Sequence, residues 1–187
     1  SDADEAIKVA REANDYLADA VKKYPKRFAG FAVLPTAVPD KAVKELELMV
    51  EKLGFKGAMI CGHIKGRYLD DKFFWPILEC AEKLDVPIYL HPTPPPNAVK
   101  EIYYGGFSPG VTNLLSRSAW GWHIETAVHI LRLIMSGAFD KYPKLQIMIG
   151  HLGEALPFML ERIDNRMSQK VTRLQRRTAD YLRENIY

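Results

Sequence analysis

The chain of 187 residues is poor in the features that most directly assign a function. It has two cysteines, Cys61 and Cys80, and no CxxC spacing, so a disulfide framework and a cysteine-rich metal site are both excluded. No apolar run approaches the length of a membrane span, and the opening "SDADEAIK" is acidic and helical rather than signal-like. A reduced, cytoplasmic protein without a membrane partner is expected. Charge of one sign is also lacking: 26 basic residues face 23 acidic ones, for a net charge of +3. That balance leaves no electrostatic footprint for nucleic acid. P-loop, GxGxxG and GxSxG motifs are absent, which removes support for nucleotide binding and serine hydrolysis. A small-molecule partner remains.

What is present suits a packed α/β domain. Hydrophobic residues make up 48% of the chain and charged residues 26%, enough for a sizeable core. Four short apolar runs read as buried parallel strands: "FAGFAVLP" (28–35), "GFKGAMICG" (54–62), "VPIYLHP" (86–92) and "LQIMIGH" (145–151). Between them the periodicity is helical. Ile7, Ala10, Ala13, Leu17, Ala20 and Val21 form one stripe, and Val43, Leu46, Met49, Val50 and Leu53 another, with Asp40 as its expected N-cap and Gly54 as its stop. Phe73, Phe74, Ile77, Leu78, Ala81 and Leu84 form a third, and residues 125–135 are apolar nearly all round. This alternation predicts βαβ units with right-handed crossovers. Residues 93–119 are Gly/Pro-rich and aromatic, and their length predicts a lid or binding loop. Four βα units are half of an eight-stranded barrel, which usually runs to about 250 residues. The final "ENIY" reads as the opening of a further strand. The expectation is therefore the central portion, residues 1–187, of a single (β/α)8 TIM-barrel domain, with its first strand and its last strands outside the sequence. A small open doubly wound sheet is the alternative.

Two strands end on a histidine, His91 and His151, where parallel α/β proteins bind ligands. Imidazole suits both metal ligation and proton transfer near neutral pH, although a lone strand-end histidine is more often structural. Glu154, three residues after His151, is placed to orient that imidazole or to complement a helix dipole. His129 reads as packed, His63 as a loop residue or part of a site mouth, and His123 is open between the two roles. Trp120, Trp122, Tyr103, Tyr104 and Phe107 read mainly as packing residues, though so aromatic a loop suits a planar ligand. Arg162 could meet a carboxylate, and "KVTRLQRR" (170–177) reads as an exposed helix face.

The segments "RFAGFAVLP", "GRYLDDKFFWPILECAEKLDVPIYLHP" and "ETAVHILRLIMSGAFDKYPKLQIMIGHLGEALPFMLERIDNR" closely resemble the amidohydrolase-2 group of the amidohydrolase superfamily over nearly the whole chain. They are most similar to its metal-dependent nonoxidative decarboxylases of hydroxybenzoates, such as those acting on γ-resorcylate and 2,3-dihydroxybenzoate. The resemblance implies a (β/α)8 barrel with one divalent ion, zinc or manganese, at the strand ends. It implies His91 as a metal ligand, His151 as the catalytic histidine with Glu154 as its partner carboxylate, and Trp120 and Arg162 near the substrate. The family's other ligands come from an E/H-x-H motif on the first strand and a late aspartate, neither of which is in this sequence. The implied activity is decarboxylation of a hydroxylated aromatic acid by a homo-dimer or tetramer. The alternatives are metal-dependent hydrolysis of a lactone or amide, and an inactive fragment or non-catalytic binding module.

Overall fold

A computed structural model describes residues 2–187 and holds one parallel sheet in the order β1-β2-β3-β4. The strands are β1 (Ala32–Val33), β2 (Ala58–Cys61), β3 (Ile88–His91) and β4 (Ile147–Met148). Each lies inside one of the four apolar runs. Register pairs Ala32 with Ala58, Ala58 with Ile88, and Ile88 with Ile147. Ile186, in the terminal "ENIY", adds a parallel bridge to Ile147, as expected of an opening strand.

Helices α1 (Asp2–Lys23), α2 (Pro39–Leu53), α3 (Trp75–Lys83) and α6 (Gly121–Met135) carry the expected stripes. Leu46 and Met49 of α2, Ile77 and Leu78 of α3, and Ile130 and Leu133 of α6 are fully buried against Ala58, Ile88, Leu90 and Ile147. The opposite face of the sheet, with Met59, Tyr89, His91 and Met148, is only half-buried. The strands are thus covered on one side and not on both, because the helices pack on one face. On α1 the buried centre is Ala10 and Asn14, while Ala13 is exposed. Asn14 serves as a surrogate strand neighbour: its Oδ1 accepts from the Val33 N–H at 2.8 Å and its Nδ2 donates to the Val33 carbonyl at 2.9 Å. Its amide also donates to Glu45 at 2.8 Å, so a buried polar contact ties α1 to both β1 and α2.

Three local expectations are corrected. The N-cap of α2 is Val38, with Pro39 at the first helical position and Asp40 inside the first turn. Proline's missing N–H costs nothing there, so it takes that place and moves the aspartate inward, where it still faces the positive end of the helix. Gly54 does end α2, in the left-handed conformation at φ 71°. Residues 93–119 are not an open loop: they fold into α4 (Asn97–Tyr104) and α5 (Pro109–Leu115). Finally, residues 170–177 are not one helix face. α9 (Gln169–Thr172) stops at a left-handed Arg173, Arg177 turns back to Asp164, and Arg176 bonds Asn185 at 2.9 Å.

Candidate active site

His91 is the last residue of β3, and its Nδ1 lies 2.8 Å from the Pro92 carbonyl oxygen. A carbonyl only accepts, so Nδ1 carries the proton and Nε2 is left with a free lone pair. Gly62 makes room for the chain that follows: a Cβ there would come within 1.9 Å of Thr93 Cγ2.

His151 stands three residues past β4, in an unusual backbone. His151, Leu152, Gly153, Glu154 and Ala155 have φ of 50°, 60°, 87°, 52° and 64°, a full turn in the left-handed region. L-residues avoid that region at roughly 1–2 kcal/mol each, and they visit it singly rather than in runs. Bonds from the Gly153 N–H to the Gly150 carbonyl and from the Leu156 N–H to the Gly153 carbonyl, both 2.9 Å, brace the turn. The turn delivers α8 (Leu156–Arg166) and places His151 and Glu154 on one side.

Glu154 is the buried centre of the site, 1% exposed. One oxygen lies 2.7 Å from His151 Nδ1 and the other 2.7 Å from His123 Nδ1. A carboxylate accepts, so both imidazoles donate. The two rings meet edge to face, 4.8 Å between centroids. His151 is thereby fixed with Nε2 as its remaining polar atom. His123, in the first turn of α6, has Nε2 3.1 Å from the Trp122 indole nitrogen and 3.0 Å from the Ser118 carbonyl. Neutral, it accepts from the indole; protonated, it donates to the carbonyl.

These residues line a cleft of about 710 Å³ together with Trp120, Ile124, Leu152, Ala155, Phe158 and Met159. Its walls are apolar except at the histidine–glutamate group, the usual make-up of a small-molecule pocket. The structure therefore brings together His151, Glu154 and Trp120. His91 is on the neighbouring strand and outside the three-residue group. Arg162 is exposed on α8 and makes no ion pair among the described residues. His123 was not singled out from the sequence, because one histidine at the start of an apolar helix carries no spacing signal.

Donor atoms of His123, His151 and Glu154 lie within 4.8 Å of one another, a nitrogen and oxygen set that suits a divalent first-row ion. As arranged, both Nδ1 protons are given to the carboxylate. The nitrogens left for a metal are Nε2 atoms, foremost that of His91, whose other nitrogen is already held by a backbone carbonyl in the manner of metal-binding imidazoles.

A second polar layer supports α6. The Tyr68 hydroxyl donates to Glu125, the Leu69 N–H donates to His129 Nε2 at 3.0 Å, and Arg132 holds Asp70 through two bonds of 3.1 and 2.8 Å. Burial, aided by the charges of His63 and Arg132, pushes His129 down to about 3, so it stays neutral and accepts. It is 1% exposed, a packed histidine as expected. His63 is turned back on its own loop, accepting from the Gly66 N–H at 3.0 Å.

The amidohydrolase family pattern matches residues 1–173. The chain is 43% identical over 197 aligned positions to a γ-resorcylate decarboxylase from Polaromonas sp. strain JS666, covering 100% of this chain and 59% of the relative. A solved dihydroxybenzoic acid decarboxylase from Polaromonas sp. JS666, with bound manganese and the inhibitor 2-nitroresorcinol, aligns at a TM-score of 0.89 and 42% identity, over 99% of this chain and 57% of that one. A solved 2,6-dihydroxybenzoate decarboxylase from Rhizobium aligns at 0.88 and 42%, over 99% and 58%. The chain thus spans a little under three-fifths of each of these three relatives. Four strands of their parallel α/β barrel lie among its described residues, and the chain belongs to the amidohydrolase family.

Proposed function

We propose that this chain is the central part of a single barrel domain in a metal-dependent nonoxidative decarboxylase of a hydroxylated aromatic acid. The observation that carries this is the histidine–glutamate group set in an apolar cleft: Glu154 holds His151 by Nδ1 and leaves that imidazole its Nε2 to act on a ring. The decarboxylases among its relatives support the substrate class.

His91 would hold a divalent ion, zinc or manganese, through Nε2, with His151 beside it. The ion, when bound, supplies charge neutralisation and a fixed anchor for the substrate's carboxylate and adjacent hydroxyl. Trp120 forms an aromatic wall of the cleft, and Arg162 offers a guanidinium without an ion-pair partner to attract the acid. His151, as imidazolium, gives its Nε2 proton to the ring carbon that bears the carboxylate. The bond from that carbon to the carboxyl carbon breaks, its electron pair returns to the ring, and CO2 leaves. Neutral His151 keeps its Nδ1–H on Glu154 and regains a proton from solvent. The oligomer proposed is a homo-dimer or tetramer, and the compartment the cytoplasm; no helix among the described residues is long and apolar enough to cross a membrane.

The test is a panel of hydroxybenzoates and of lactones offered to the manganese-loaded protein. CO2 release from a 2-hydroxybenzoate supports the assignment. Ring opening of a lactone without CO2 release would replace it with metal-dependent hydrolysis.

A further inference from the structure

The geometry points to His123 as a positioning residue for His151, acting through Glu154; the inference rests on the role given to His151 above. Glu154 is buried, and its two oxygens have one partner each, both imidazole Nδ1–H groups at 2.7 Å. A buried carboxylate oxygen without a donor is costly, and a carboxylate held at one oxygen only is free to rotate about its terminal bond. The bond from His123 therefore does two things. It satisfies the second oxygen, and it fixes the plane of the carboxylate so that the first oxygen stays on His151.

His123 is itself restrained. It sits in the first turn of α6, its side chain is 22% exposed, and its outer nitrogen has the Trp122 indole or the Ser118 carbonyl as a partner in either protonation state. Further along α6, Glu125, His129 and Arg132 bind Tyr68, Leu69 and Asp70, so the helix cannot slide without breaking three contacts. The chain of support thus runs from the loop after β2, through α6 and His123, to Glu154 and finally to His151 Nε2. His123 touches no substrate in this scheme and moves no proton to it.

The experiment compares three substitutions in the zinc-loaded protein labelled with 15N-histidine. His123→Asn keeps a donor near the Nδ1 position, whereas His123→Gln carries its amide out to about the Nε2 position and His123→Phe has no donor. In the unsubstituted protein the His151 Nδ1 proton is expected to stay on Glu154 in either charge state, with a protected downfield resonance. That resonance persists in His123→Asn and is lost or split between tautomers in the other two. For catalysis, kcat falls about 10–100-fold in His123→Phe and His123→Gln, the usual range for a lost supporting hydrogen bond, with KM nearly unchanged, and recovers in His123→Asn. If His123→Phe does not fold, the Asn and Gln pair carries the comparison. An unchanged His151 resonance and kcat in both the Gln and Phe variants, neither of which places a donor at the Nδ1 position, overturns the inference; so does an Asn variant that fails like Gln. If the unsubstituted protein releases no CO2 while the resonances behave as stated, the decarboxylase assignment fails and the positioning role stands.

Discussion

Glu154 holds two imidazoles at once, and most of the chemistry assigned to this chain follows from that one residue. The proposed proton donor is tested by its removal: His151→Asn is expected to lower kcat for CO2 release by about 10²–10⁴, the usual worth of a general acid, with metal content unchanged by elemental analysis. Glu154→Gln keeps the shape but puts an amide N–H against one Nδ1–H. Steady-state kinetics should show a loss of about 10–100-fold, mainly in kcat. His91 and His151 stood out in the sequence as candidates because each closes an apolar run, near where this class of fold gathers ligands. His123 was not legible. It lies 31 positions before Glu154, and only folding shows that the start of α6 reaches the turn after β4.

At the level of elements, the turn from His151 to Ala155 stands out, since four of its five residues carry a side chain at positive φ. Ala155, at φ 64°, contributes no polar group to the site. Ala155→Gly should therefore stabilise the protein by about 0.5–1 kcal/mol, seen as a higher denaturant midpoint at constant slope. The His129 layer makes a second prediction, about pH. An unfolded histidine takes up a proton near 6.5, whereas buried His129 resists until about 3. The unfolded state binds the extra proton across that window, so stability is full above it and falls as pH drops through it, by up to about 1.4 kcal/mol per pH unit from this one group. His129→Gln retains an acceptor for the Leu69 N–H and should flatten that dependence in urea titrations at pH 7 and pH 5. The four strands were readable as short apolar runs, and the longer helices from their period. The helices between residues 93 and 119 were not, because α4 and α5 have only 8 and 7 residues and are bounded by proline and glycine. Two turns are too few to display a stripe.

Across the whole molecule, helices cover one face of the parallel sheet, with His91 at the carboxyl end of β3 and His151 in the turn that follows β4. The parallel order and the α/β class followed from the spacing of apolar runs. The extent of burial did not, because the same runs serve a strand covered on one side or on both. The proposed metal dependence is a property of this scale, since it joins residues from separate strands. Chelation should abolish turnover while far-ultraviolet circular dichroism stays unchanged, and manganese should restore it. Proton delivery to the ring is read most directly from turnover of 2,6-dihydroxybenzoate in D2O by the manganese-loaded protein, followed by NMR. The expected result is one CO2 per substrate consumed and resorcinol carrying deuterium at the single ring carbon that bore the carboxylate. Metal bound at one per chain with no CO2 and no deuterated product, across the hydroxybenzoates tested, would contradict it.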